Sequence, residues 1–332
     1  MSIKIDFFKK REMELIPPTI PLRPLSWNEI NRIYPFEYQL SSEEDTEHTY
    51  VYKSGDYAVK VFQNTDPLID KELRVGSKLN HMVGTTEIFV RTYGYLLSTE
   101  HPPMGTIKPY KDANDVVIPH THYIYVFLSS VESPLDNVDD DQVENMYFQF
   151  LIGLYHARRK LKFCHHDVHK GNLMFDPINK TSFVYQISPG FTVMLTNVEI
   201  QAKLIDYGKS VADERYTDDQ WQIPKYRPFW NKSDIYDLSV TFLHEFEDVI
   251  TPRFEQFLRH TMNRFRASHR LISTDKIQND SSANYQNIET LLREYFPPVT
   301  ALRCDICGAV NAEFTDVNGG LYCGLTCQIK HY

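Results

Sequence analysis

The sequence predicts an α+β fold of about two domains followed by a small terminal module, and three observations carry that expectation. The 332 residues are 42% hydrophobic and 24% charged, which supplies apolar side chains for sizeable cores and argues against bulk disorder. Short runs of Tyr, Val, Ile and Phe fill the stretch from about residue 35 to 128, and helical periodicity replaces them after residue 135. Four of the five cysteines, Cys304, Cys307, Cys323 and Cys327, crowd together near the end of the chain.

Taken in order, Pro17, Pro18, Pro21 and Pro24 make residues 14–27 an extended arm that cannot be helix. Ser26 and Glu29 have capping-box spacing and open a short helix. Strands are expected at Thr49–Lys53, Tyr57–Phe62, Phe89–Leu97 and Tyr123–Leu128. A helix over Pro67–Asn80 interrupts them, with Leu68, Leu73, Val75 and Leu79 set among charges. Asp139–Asp141 are expected to cap a helix whose Val143, Met146, Tyr147, Phe150, Leu151, Leu154 and Tyr155 repeat at helical spacing. Arg158, Arg159 and Lys160 close it with the charge that suits a helix carboxyl end. Another helix begins at Ser233, and more helix is expected through 253–266 and 286–296, ended by Pro297 and Pro298. The expected division is an arm over 1–34, a domain over 35–296 that changes from strand to helix at about 128, a linker over 297–303 and a module over 304–332.

The formal charge of −9 argues against a generic nucleic-acid binder with a chain-wide basic surface and leaves local basic patches open. Arg253, Arg259, Arg264, Arg266 and Arg270 read as a solvated helix face. No apolar run approaches the roughly 18 residues that span a bilayer. The opening MSIKIDFFKKREMEL breaks its apolar residues with charge, unlike a signal peptide. Five cysteines do not make a disulfide framework, and their clustering fits metal in a reducing compartment. An intracellular, cytoplasmic protein is expected, without membrane or nucleic-acid partners.

The strongest chemical signal is His165-His166-Asp167-Val168-His169-Lys170-Gly171-Asn172, in which Asn follows Asp by five positions as in a kinase catalytic loop. Further on, the apolar Leu204-Ile205 ends in Asp206-Tyr207-Gly208. Phosphoryl transfer needs one carboxylate to orient the attacking hydroxyl, and an Asn with a second carboxylate to hold Mg²⁺ against the phosphates. Tyr57-Ala58-Val59-Lys60-Val61 adds a lone Lys in an apolar strand, and Glu72 lies on the helix that follows. An ion pair between Lys60 and Glu72 would fix the Lys for phosphate contact. Cys164 reads as a small buried residue and His165 as a brace for the loop.

Over roughly residues 35–296 the chain therefore resembles the protein-kinase-like superfamily. The Asp-x-His-x-Gly-Asn form and Ile-Asp-Tyr-Gly-Lys-Ser are most similar to haspin-type kinases and to kinases of large cytoplasmic DNA viruses. The long segment between Asn172 and Asp206, with strands at Phe183–Tyr185 and Phe191–Leu195, also resembles the viral group. The resemblance implies a bilobal fold with ATP near Val126–Ser130. It implies Lys60 and Glu72 as the phosphate-binding pair, Asp167 as catalytic base, Asn172 and Asp206 as Mg²⁺ ligands, and Asp234 bracing the catalytic loop. It also implies a protein substrate phosphorylated on Ser or Thr, and a virion or virus-factory location if the source is viral.

The chain departs from the common kinase pattern in three places. Ser41–His48 carries Glu43, Glu44, Asp45 and Glu47 where a Gly-rich phosphate-covering loop is usual. His169 stands where Ser/Thr kinases place a Lys, with Lys170 one step later. No Ala-Pro-Glu lies between Asp206 and Asp234. Two other functions stay open at this point, a pseudokinase scaffold and a small-molecule kinase.

In the terminal module, Cys304-x₂-Cys307 and Cys323-x₃-Cys327 bring two close thiolate pairs that suit one tetrahedral Zn²⁺. Asn318-Gly319-Gly320 can turn a hairpin from Glu313–Val317 to Leu321–Tyr322 between them. The ending resembles the second half of MYND and HIT zinc fingers reduced to a single site, and such a module could also hold a protein partner.

Overall fold

The computed structural model describes residues 24–40, 49–66, 68–103, 107–109, 111, 114–212, 234–265 and 288–296, with the backbone of two short strands at 314–315 and 321–322. The proline arm before Pro24, the acidic stretch 41–48, the segment 213–233, Arg266, Arg270 and the four clustered cysteines lie outside the described residues. The architecture is mixed α+β, with strands first and helices later, and is compatible with a kinase-like fold. Two compact units form. The first takes Met1–His81, Val90–Val131 and Asp206–Lys209; the second takes Met82–Phe89, Glu132–Ile205 and Ser210–Tyr332.

In the first unit, helix α1 (Trp27–Ile33) starts at the expected capping box. The Ser26 hydroxyl accepts the Glu29 N–H and the Glu29 carboxylate accepts the Ser26 N–H. Strands β1 (Tyr38–Gln39), β2 (Thr49–Ser54), β3 (Tyr57–Gln63), β4 (Thr92–Ser98) and β5 (Tyr123–Ser129) build one antiparallel sheet in the order β1-β2-β3-β5-β4. Side chains alternate between its faces. Tyr50, Tyr52, Val59, Val61, Tyr125 and Phe127 point to one face and form a core with Leu25, Ile30 and Tyr34. Residues 25–34, set apart as an arm on sequence grounds, thus pack into this core.

Phe62, Val126 and Leu128 point to the other face, where helix α2 (Ile69–Leu79) covers them through Ile69 and Leu73. Lys60 shares that parity and faces α2. Gly76 lets the helix settle closely: a methyl there would stand 2.1 Å from the Thr92 hydroxyl and 3.4 Å from the Tyr207 ring. One turn earlier on the same helix is Glu72. The expected strand at Phe89–Leu97 begins only at Thr92 and runs to Ser98, with a register shift between Thr92 and Gly94 in its pairing with β5. Phe89 belongs to the second unit, within which it makes a single bridge to Leu204.

The second unit is organised around helix α3 (Val143–Leu161), buried on nearly every side from Met146 to Tyr155. Asp139–Asp141 do not cap it. A 3₁₀ turn over Asp140–Gln142 precedes the helix, and no side chain caps its first turn. Gln142 instead reaches sideways, donating to the Asn197 carbonyl (3.0 Å) and accepting the Glu199 N–H (3.0 Å). Helices α4 (Asp234–Phe246), α5 (Pro252–Phe265) and α6 (288–295) complete the helical part. The Tyr147 ring lies edge-on to Phe242 and Phe254 at 5.2 Å each.

Strands β6 (Ser133–Pro134), β7 (Leu173–Ser188) and β8 (Phe191–Leu204) form an antiparallel ribbon against α3. Buried Gln149 ties the two together, donating to the Ile200 carbonyl (2.9 Å) and accepting the Ala202 N–H (3.0 Å). The ribbon is far longer than the two short strands the sequence suggested, running from Leu173↔Leu204 to Ser188↔Phe191 with three register shifts. Pro189 and Gly190, with Gly190 at φ 76°, turn its tip. Near the chain's end, β9 (Phe314–Thr315) pairs antiparallel with β10 (Leu321–Tyr322), the hairpin expected between the two cysteine pairs.

Candidate active site

The side chains singled out in the sequence fall into two groups, one in each unit. In the first, Lys60 Nζ stands 2.7 Å from Asp206 Oδ1 and 3.4 Å from Glu72 Oε2. Sequence spacing paired Lys60 with Glu72 and missed the shorter contact. No local pattern could signal a partner 146 residues away. Glu72 is fully buried, the Lys60 side chain is 11% exposed and that of Asp206 41%. Burial alone would lower the Lys60 pKa, but the Asp206 and then the Glu72 carboxylate more than offset it and hold the amine above the ordinary lysine range. Burial raises the Glu72 carboxyl against the pull of Lys60. Lys60 is therefore a fixed cation.

Asp206 adopts a left-handed backbone, φ 66°, uncommon for a residue other than glycine. The next residue anchors it. Tyr207 is wholly buried and its hydroxyl donates to the Val90 carbonyl at 3.3 Å.

In the second unit, Asp234 opens α4 and is buried, with both carboxylate oxygens turned to the loop before Asp167. Oδ2 accepts the His165 N–H (2.8 Å) and Oδ1 the His166 N–H (2.9 Å). This bracing holds His166 at φ 65°. The His165 ring contacts the Ile205 carbonyl at 2.9 Å, and the Ser210 hydroxyl donates to the His165 carbonyl. Cys164 pairs its backbone with Val211, and desolvation pushes its thiol up to about 11, so it stays protonated at neutral pH.

The loop then delivers Asp167, whose side chain is 12% exposed. Asn172 Nδ2 donates to the Asp167 carbonyl (2.9 Å) and lies 3.4 Å from Asp167 Oδ2. The Asn172 carbonyl accepts the Ile205 N–H (3.1 Å) at the base of the ribbon. Lys170 does not substitute for the missing loop Lys. It turns to Glu245 (3.1 Å) and Asp136 (3.6 Å). Sequence reading also gave no role to His166 and His169. A His where a Lys is usual, followed two residues later by Gly171, was the signal for His169.

The arginines of α5 have partners inside the unit. Arg253 stacks on Tyr295 and donates to its carbonyl, Arg259 meets Glu255 and Arg264 meets Glu294. Among the described residues, no three His, Cys, Asp or Glu side chains gather to hold a metal ion. No described helix is long and apolar enough to cross a membrane.

No family model matches the chain. Over 187 residues, 54% of this chain and 31% of the other, it is 27% identical to a protein of Invertebrate iridescent virus 3 named "Probable kinase 098L". The chain thus covers about a third of that relative's length, and the similarity supports a kinase-like relationship.

Proposed function

We propose that this chain is an ATP-dependent phosphotransferase of bilobal kinase-like fold that phosphorylates Ser or Thr hydroxyls of a protein. One observation carries the reading: Lys60, picked out as the phosphate-gripping residue, and Asp206, picked out as a metal ligand, lie 2.7 Å apart. The viral relative named as a probable kinase is consistent with it.

In this reading Lys60, kept charged by two carboxylates, binds phosphate oxygens of ATP, and Glu72 holds its amine in place. Asp167 orients the acceptor hydroxyl and takes its proton. The Asp206 carboxylate and the Asn172 amide oxygen are hard donors of the kind Mg²⁺ takes. When bound, Mg²⁺ would neutralise charge on the phosphates. Asn172, with Nδ2 committed to Asp167, has its amide oxygen directed away from that residue.

Purified protein with Mg²⁺-ATP labelled at the γ-phosphate and mixed protein acceptors should yield phosphoserine or phosphothreonine. Label found only on small alcohols would replace the protein-kinase reading with a small-molecule kinase, and nucleotide binding without transfer would favour a scaffold. Lys60→Met is expected to lower turnover or ATP affinity at least about tenfold, roughly 1.4 kcal/mol of phosphate stabilisation. Kinetics equal to wild type in a folded variant would remove Lys60 from the site.

We further propose that Cys304, Cys307, Cys323 and Cys327 hold one structural Zn²⁺, with the β9–β10 pair between the two halves of the ligand set as support. Four thiolates would complete a tetrahedral shell and staple a segment too small to bury its own core. Elemental analysis should find about one zinc per chain. A Cys323→Ser variant that keeps full zinc would refute the assignment.

A further inference from the structure

We infer that His169 is a positioning residue that holds the Asp167 carboxylate where it can orient the acceptor hydroxyl and take its proton, an inference that rests on the phosphotransferase reading. His169 ends the extended approach to the 3₁₀ turn Lys170–Asn172, and its ring folds back over that turn. Nδ1 accepts the Gly171 N–H at 3.2 Å. That bond fills the Nδ1 lone pair, so the ring hydrogen of the neutral imidazole belongs on Nε2. Nε2 lies 3.6 Å from Asp167 Oδ2, just outside hydrogen-bond length, and 3.1 Å from Asn172 Nδ2, whose two hydrogens are directed at the Asp167 carbonyl and at Oδ2. The Asp167 carboxylate is thereby flanked by Nε2 of His169 and by Nδ2 of Asn172 at 3.4 Å.

Gly171 is the second, independent sign that the ring is built into the loop. A methyl on its Cα would stand 3.0 Å from His169 Cε1 and 3.2 Å from Nδ1, so the ring would have to give by a few tenths of an ångström and loosen its hold on the turn. The side chain is 55% exposed, so the ring contributes little to the core and its replacement leaves the fold intact.

The role separates from simple turn capping by choice of substitution. An Asn side chain reproduces the acceptor at Nδ1 and stops short of Asp167. A Gln side chain extends an N–H to about where Nε2 stands. With wild-type phosphate incorporation as reference, His169→Ala and His169→Asn are expected to lower kcat at least tenfold, with KM for ATP within twofold of wild type. His169→Gln should recover to within threefold. Gly171→Ala should lower kcat as well, and the His169→Ala/Gly171→Ala pair should be no slower than His169→Ala alone, because both changes remove one interaction. Wild-type kcat in His169→Ala, rescue by Asn equal to that by Gln, or fully additive losses would each overturn the positioning role while leaving the phosphotransferase reading in place. Absence of transfer by the wild-type protein would overturn both.

Discussion

Asp206→Asn is expected to abolish Mg²⁺-dependent phosphate transfer, with a loss of at least about a thousandfold, equivalent to roughly 4 kcal/mol of transition-state stabilisation. The substitution changes charge with little change of shape. Asn tolerates the left-handed backbone that Asp206 adopts, φ 66°, so the turn into Tyr207 and its hydrogen bond to Val90 should persist. What disappears is the carboxylate proposed to hold the metal and the closest anionic partner of Lys60, leaving that amine with Glu72 at 3.4 Å. Turnover from labelled ATP gives the kinetic answer, and a thermal melt checks that the variant is folded. A folded Asn variant within tenfold of wild type would remove Asp206 from the chemistry.

Asp234→Ala is expected to damage both stability and turnover. Its two oxygens accept the buried amides of His165 and His166, and alanine leaves both donors without an acceptor. At about 1–3 kcal/mol for each unsatisfied buried group, the loss is a large fraction of the roughly 5–15 kcal/mol that keeps a domain folded. His166 holds an uncommon positive φ that the Asp234 bonds help to fix, so the loop leading to Asp167 should relax as well. Asp234→Asn should fall between, because its amide can accept one N–H but confronts the other with a donor. Urea unfolding of the three proteins gives the order expected: wild type, Asn, Ala. An alanine variant as stable as wild type would show that these two bonds do not hold the loop.

Much of this was legible in the sequence wherever a local rule governs the structure. Ser26 and Glu29 cap α1 as their spacing requires, and the Tyr57–Val61 pattern becomes β3 with Lys60 on the α2 face. The misses occur where distant groups override local preference. Asp139–Asp141 looked like a helix cap, but Gln142 is drawn to backbone groups of β8 and a 3₁₀ turn fills the gap. The ribbon was seen only at its tip, because Asp176-Pro177-Ile178-Asn179-Lys180 breaks the two-residue alternation and is carried through by register shifts. The contact of Lys60 with Asp206 arises from tertiary approach, and the folding of the His169 ring back over its own turn leaves at most an unusual residue type as its trace.

The ribbon also has a consequence for chain entropy. Bringing residue 172 next to residue 205 through a flexible loop of the same length would cost about 3 kcal/mol in closure. Here the strand pairing itself draws the ends together: Leu173 pairs with Leu204, and Ile205 donates to the Asn172 carbonyl at the root. The tip at Pro189–Gly190 is remote from that root along the ladder, so residues removed or added there in matched pairs leave the root in register. The segment is an adjustable spacer: its length can change at the tip while the residues at its base stay where they are.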